Sequence, residues 1–182
     1  LANYLDGTPV PRLSSFWQVL FADQSPDVGT FESRAEFYSD PLAKWTDGTS
    51  LTAQDIRYTY ELYHGLSLVE DANLINSVKV KGDHLAGINL NCTQMLKYRF
   101  MGTLPILPRH IMEGLNSTGL STWNPTPEES VGSGPFKFSQ FTSGTQLVLT
   151  RNAQYYPQVD TAPPTLKSIL LNPSNPIPAE TV

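Results

Sequence analysis

Cysteine is nearly absent from this sequence. Cys92 is the single one in 182 residues, so no disulfide can close within the chain and no cysteine cluster can hold a metal. The reading left for it is a small, buried apolar thiol. Charge is scarce too: Asp, Glu, Lys and Arg make up 16% of the residues, the 12 Lys+Arg form no basic run, and the formal net charge is −5. Without a basic patch there is nothing to neutralise a phosphate backbone, which argues against nucleic acid as a partner. No apolar stretch approaches the ~20 residues that cross a bilayer, and no secretory signal opens the sequence. The first residue is Leu1, not Met. The expectation is a mature or excised piece whose export signal and anchor lie outside it.

What is present is a hydrophobic content of 40%, enough for a packed core, with 8 Tyr, 8 Phe, 3 Trp and 15 Pro. That balance suits a loop-rich extracellular domain. Two glycosylation acceptor patterns, Asn91-Cys92-Thr93 and Asn116-Ser117-Thr118, point the same way if the chain is exported.

The clearest predicted element is a helix after the turn Asp47-Gly48. Thr52 is placed to cap it, and Asp55 three residues on completes an acidic capping box at the positive end of the helix dipole. Ile56, Tyr60 and Tyr63 fall at i, i+4 and i+7, one apolar stripe, and Gly65 is expected to end the helix in a left-handed conformation. Strands are expected over 16–20 and 29–37, with Ser25-Pro26-Asp27 as the turn between them. A hairpin follows in which Val78 and Val80 lead into Gly82-Asp83, and Ile88 and Leu90 return. Pro105 and Pro108 bias 103–108 to extended backbone, 109–115 reads as a short helix closed by Asn116, and 117–130 reads as a polar loop. A second hairpin is expected from 136–141 and 146–151, then a strand over 166–171. The expected organisation is an α+β subdomain over 1–120, a hairpin segment over 121–171 and a Pro-rich extended tail over 172–182.

No set of residues has the pattern of a catalytic site. Gly132-Ser133-Gly134 lacks the glycine spacing of a hydrolase elbow and is followed by Pro135 and a strand, so it reads as a tight turn. His64, His84 and His110 are too dispersed for a metal motif, and His84, beside a turn, is expected to be solvated. Glu70-Asp71 and Glu128-Glu129 are adjacent pairs, an arrangement that turns two carboxylates apart. No cofactor or metal is implied. The aromatics Trp17, Trp45 and Trp123 offer broad apolar faces with a polar tip, the surface a peptide or sugar cleft uses, though most such residues are core; Trp123, in a polar Pro-rich segment, is the one a core explains least.

Three blocks together resemble the extracellular solute-binding proteins of family five, the oligopeptide- and dipeptide-binding type. They are Lys44-Trp45-Thr46-Asp47-Gly48-Thr49-Ser50-Leu51-Thr52-Ala53-Gln54-Asp55-Ile56, then Pro105-Ile106-Leu107-Pro108-Arg109-His110-Ile111, then Gly132-Ser133-Gly134-Pro135-Phe136-Lys137 with Leu149, Arg151-Asn152 and Tyr155-Tyr156. The resemblance covers roughly 11–171. It implies an α+β piece of one lobe of the two-lobed, type II periplasmic-binding (Venus flytrap) fold, built from hairpins and few helices. It also implies a non-enzymatic receptor outside the cytoplasm, extracellular or periplasmic and membrane-anchored. Such a receptor delivers a peptide or oligosaccharide to an ABC permease. On this reading Trp45, Asp47, Gly48, Asp55, Gly132, Gly134 and Pro135 are marks of fold, and Tyr63, His64 and Trp123 are the candidate ligand contacts. A self-contained carbohydrate-binding or interaction module stays open as an alternative, as does a hydrolase using Ser133.

Overall fold

The computed structural model describes residues 2–3, 9–10, 13–21, 33–67, 71–93, 101–115, 117–143, 145–155 and 166–171. The expected turn at Ser25-Pro26-Asp27, Asn116, Tyr156 and the tail over 172–182 lie outside them. The chain divides into two compact units. The first comprises Leu1–Pro41 and Leu51–Met112, the second Leu42–Ser50 and Glu113–Val182. The division expected at 120/121 falls inside the second unit.

In the first unit a small antiparallel pair, β1 (Ala2–Asn3) and β2 (Pro9–Val10), precedes a four-stranded antiparallel sheet. Its strands are β3 (Ser14–Phe21), β4 (Ser33–Ser39), β5 (Ile75–Lys81) and β6 (Leu85–Leu90), in the order β3-β4-β6-β5. The predicted β5–β6 hairpin forms with Val78 opposite Ile88 and Val80 opposite Ala86, and Gly82 takes φ 67° in its turn. Alternation gives the sheet two different faces. One carries Trp17, Val19, Ala35, Phe37, Val78, Ala86, Ile88 and Leu90, and the helix α1 (Ala53–Leu66) packs on it with Ile56 and Tyr60. Cys92 is buried in the same core.

Helix α1 begins as its sequence requires: Thr52 is extended, its N–H donates to Asp55 Oδ2 at 2.8 Å and its hydroxyl to the same oxygen at 3.2 Å. Its end corrects one expectation. Gly65 stays helical, and Ser67 takes the left-handed conformation at φ 50°, ψ 41°. Two bonds from the residues just before Gly65 hold the last turn: the Tyr63 hydroxyl donates to Pro105 O at 2.8 Å, and His64 Nδ1 lies 2.9 Å from Ala72 O. Helix α2 is shorter than expected, Arg109–Met112, because Gly114 adopts φ 100° and leaves the helical path. His84 is half-buried instead of solvated, with Nδ1 3.2 Å from Ser39 Oγ.

In the second unit the expected loop over 117–130 contains a helix, α3 (Ser117–Thr122). Hydroxyl-rich composition read as loop, yet the Ser121 and Thr122 hydroxyls donate back to Thr118 O at 2.9 Å, so the polar side chains are satisfied within the helix. Beyond it β7 (Phe136–Thr142), β8 (Gln146–Arg151) and β9 (Ser168–Leu171) form a three-stranded antiparallel sheet in that order, the predicted hairpin and final strand.

Candidate functional site

Each resemblance block becomes part of a hydrogen-bonded assembly, and each assembly lies within one unit. In the first unit, α1 grips the Pro-rich segment that follows the core. Asp55, Thr59 and Tyr63, spaced at i, i+4 and i+8, share a helix face. Asp55 Oδ1 accepts the Arg109 N–H at 3.0 Å, Thr59 Oγ1 accepts the Leu107 N–H at 2.8 Å, and Tyr63 donates to Pro105 O. From the neighbouring positions Tyr58 donates to Met112 O at 2.8 Å and Tyr60 to Met101 O. Prolines at 105 and 108 keep this segment out of a helix, which leaves its remaining N–H groups in need of partners. The helix supplies them. Asp55, 5% exposed, thus serves two ends at once, capping α1 with one carboxylate oxygen and holding the start of α2 with the other.

Burial raises the pKa of Tyr60 strongly, with the neighbouring Tyr63 adding to the shift, and burial raises that of Tyr63 as well. Both phenols are therefore held neutral in the folded state. The sign follows: the stability they contribute is complete below the ordinary tyrosine value of about 10 and falls as pH rises above it, where the unfolded chain sheds these protons and the folded chain keeps them. A pH titration of unfolding midpoints is expected to show a decline that begins near pH 10 and becomes shallower in Tyr63→Phe.

The second unit joins the start of the first block to the third. Trp45 N–H donates to Thr49 O at 2.8 Å and Gly48 N–H to Trp45 O at 2.9 Å, while Asp47 Oδ1 accepts the Thr49 N–H at 2.9 Å, so the Asp-Gly turn is closed on itself. Thr46 and Gly132 exchange two bonds, Thr46 N–H to Gly132 O at 2.8 Å and Gly132 N–H to Thr46 Oγ1 at 3.1 Å. Asn152 then locks the Gly-Ser-Gly-Pro turn from its other side. Its backbone N–H reaches Pro135 O at 2.8 Å, its Nδ2 reaches Gly134 O at 3.0 Å, and its Oδ1 accepts the Gln154 N–H at 3.0 Å. Gly48 has φ 93°, and a Cβ there would sit 3.4 Å from Gln154 Oε1. Gly48→Ala is expected to cost about 1–2 kcal/mol, set by the left-handed backbone and not by crowding. A chemical-unfolding midpoint measures it, and an unchanged midpoint would contradict this account of the turn.

Of the three candidate ligand contacts, Tyr63 is buried with its hydroxyl on Pro105 O. His64 is exposed on the last turn of α1, and Trp123 is half-buried directly after α3. Tyr63 and His64 belong to the first unit and Trp123 to the second. Ser133 lies within the locked turn. Among the described residues no group of three or more His, Cys, Asp or Glu could hold a metal ion, and no helix is long and apolar enough to cross a membrane. Sequence reasoning missed the parts played by Thr59 and Asn152. The i+4 spacing of Thr59 from Asp55 was the available signal; for Asn152 there was none beyond its place in the third block.

A family model, bacterial extracellular solute-binding proteins, family 5 Middle, matches residues 37–179. The oligopeptide-binding protein AppA of Bacillus subtilis is 30% identical over 127 residues, 65% of this chain and 23% of AppA. Its structure, solved in complex with a nonapeptide, superposes with a TM-score of 0.62 at 25% identity, covering 79% of this chain and 28% of that one. NikA from Brucella suis in complex with Fe(III)-EDTA gives a TM-score of 0.68 at 20% identity over 92% of this chain and 31% of NikA, a likeness of fold. The α+β arrangement is accordingly a piece of the type II periplasmic-binding fold. The chain spans between about a fifth and a quarter of the length of the curated relatives it matches.

Proposed function

Because the chain belongs to the bacterial extracellular solute-binding proteins of family 5, we propose that it is part of the substrate-binding component of an ABC importer, which captures a peptide or oligosaccharide outside the cytoplasm. The observation that carries this reading is the family match across 37–179, whose blocks fold here into two tight assemblies. Those assemblies use their polar groups on backbone partners, as a scaffold does and an active site does not, and the relatives are binding proteins. On this reading 1–120 and 121–171 contribute to one lobe. Ligand is gripped when a second lobe closes over the first, and closure is favoured only by a ligand that touches both. The closed form docks on a membrane permease, and an anchor holds the receptor at the membrane.

Ligand contact on this side falls to His64 and Trp123, which keep accessible surface, with Tyr63 supporting His64 from the buried face of the same turn. The test is a thermal-shift screen of a family-length protein carrying these residues, against peptides of two to nine residues and against oligosaccharides. A bound ligand at 100 times its Kd stabilises by about 2.7 kcal/mol, a rise of several degrees. Trp123→Ala is expected to shrink that rise while leaving the ligand-free midpoint in place, whereas His64→Ala, which also loses the bond to Ala72 O, is expected to lower the ligand-free midpoint as well as shrink the rise. A full-length protein that responds to no member of either class would remove the support for this function.

A further inference from the structure

The sheet face turned away from α1 is charged at its centre. By strand register Leu20, Arg34, Asn89 and Ser77 form one cross-strand row, Gln18, Glu36, Gly87 and Lys79 the next, and Phe16, Tyr38, Leu85 and Lys81 the third. Open faces of antiparallel sheets normally carry solvated polar groups. Here Arg34 and Glu36 are only 2% and 6% exposed. They are fixed in place: Arg34 Nε donates to Asn89 Oδ1 at 2.8 Å, Asn89 Nδ2 to Ser77 Oγ at 2.8 Å, and Gln18 Nε2 to Glu36 Oε2 at 2.7 Å, with Arg34 Nη1 3.8 Å from Glu36 Oε1.

Between these groups is a hollow of about 10 Å³, lined by Arg34, Glu36, Lys79, Lys81, Leu85 and Gly87. A Cβ at Gly87 would lie 3.1 Å from Arg34 Cδ, so the missing side chain seats the arginine stem. Three cations and one carboxylate line it, a formal +2 in a chain of net charge −5. A local field of opposite sign to the whole attracts anions. The volume admits one water-sized atom, hence a single carboxylate oxygen with the rest of its molecule outside. In the row of Leu85 and Lys81, on the two strands beyond Leu85, Phe16 is 53% exposed and packs on Tyr38 with ring centroids 5.5 Å apart, an apolar shelf on the same face.

We propose that this face seats an acidic side chain presented by a peptide segment of a partner protein, its carboxylate between Lys79 and Lys81 and an apolar neighbour on the Phe16–Tyr38 shelf. The site is independent of the receptor reading, since it lies wholly on one sheet face of the first unit. Its test is an amide-resolved NMR titration of the 182-residue chain with the blocked tripeptides Phe-Glu-Gly and Phe-Gln-Gly and with acetate, at constant ionic strength. Phe-Glu-Gly is expected to shift the amides of Glu36, Lys79 and Gly87 along saturable curves. Phe-Gln-Gly and acetate are each expected to need about fivefold more, and so is Phe-Glu-Gly against the Lys79→Met/Lys81→Met variant. That variant keeps the aliphatic stems of two exposed residues, and the peptide pair on the unaltered chain decides the matter by itself if the variant loses its fold. Non-saturating shifts, equal response to Phe-Gln-Gly, acetate binding as tightly as the peptide, or curves unchanged by loss of both lysines would each overturn the proposal.

Discussion

Replacing Asp55 with alanine is expected to destabilise the first unit by about 3–4 kcal/mol, the largest loss at any polar position discussed above. The carboxylate is 5% exposed, and each oxygen has its own backbone N–H: Oδ2 that of Thr52, Oδ1 that of Arg109. Removing it uncaps α1 and strands a donor at the start of α2 in the same step. Charged acceptors contribute roughly twice what neutral ones do, and an orphaned buried donor adds its desolvation cost. Asp55→Asn separates the two effects. It keeps one acceptor oxygen but offers an NH2 where the second donor needs an acceptor, so it should recover less than half of the loss. Urea unfolding followed by circular dichroism reads both; an alanine variant within 1 kcal/mol of the parent would show that the carboxylate does not join the two segments.

Trp45→Ala is expected to cost about 3–5 kcal/mol in the second unit, the usual penalty for emptying a buried aromatic site. Trp45 is 1% exposed and its backbone anchors both ends of the Asp-Gly turn. A sugar- or peptide-stacking tryptophan would behave otherwise, since its loss would weaken binding and leave the unfolding midpoint alone. A phenylalanine at the same position should restore more than half of the stability. Equal unfolding midpoints for the parent chain and the Trp45→Ala variant would make this residue a candidate ligand contact instead of a mark of fold.

Local chemistry made much of this structure legible in the sequence. Thr52 and Asp55 announced the start of α1 and Gly82 the turn of the β5–β6 hairpin, because caps and turns are decided within a few residues. The end of α1 was not legible, since the bonds from Tyr63 and His64 that hold its last turn reach Pro105 and Ala72, outside the helix. Helix α3 was hidden by its own hydroxyls, which signal loop when exposed to water and helix when they bond backward to carbonyls. Arg34 and Glu36 alternate with Ala35 and Phe37, a pattern that places them on the outer face but gives no hint that Gln18 and Asn89 would bond to them. Of the candidate site, Trp45 and Asp55 could be read as scaffold from their motif. The reach of Asp55 to Arg109 and of Asn152 to Gly134 spans too much chain for spacing to show.

The central claim is that these residues hold cargo only together with an opposing lobe. Calorimetric titration tests it most directly, with one peptide or oligosaccharide ligand added in turn to the 182 residues and to a family-length protein that contains them. The expected result is one-to-one binding by the longer protein and no saturable heat from the shorter. Tight, stoichiometric binding by the 182 residues alone would contradict it.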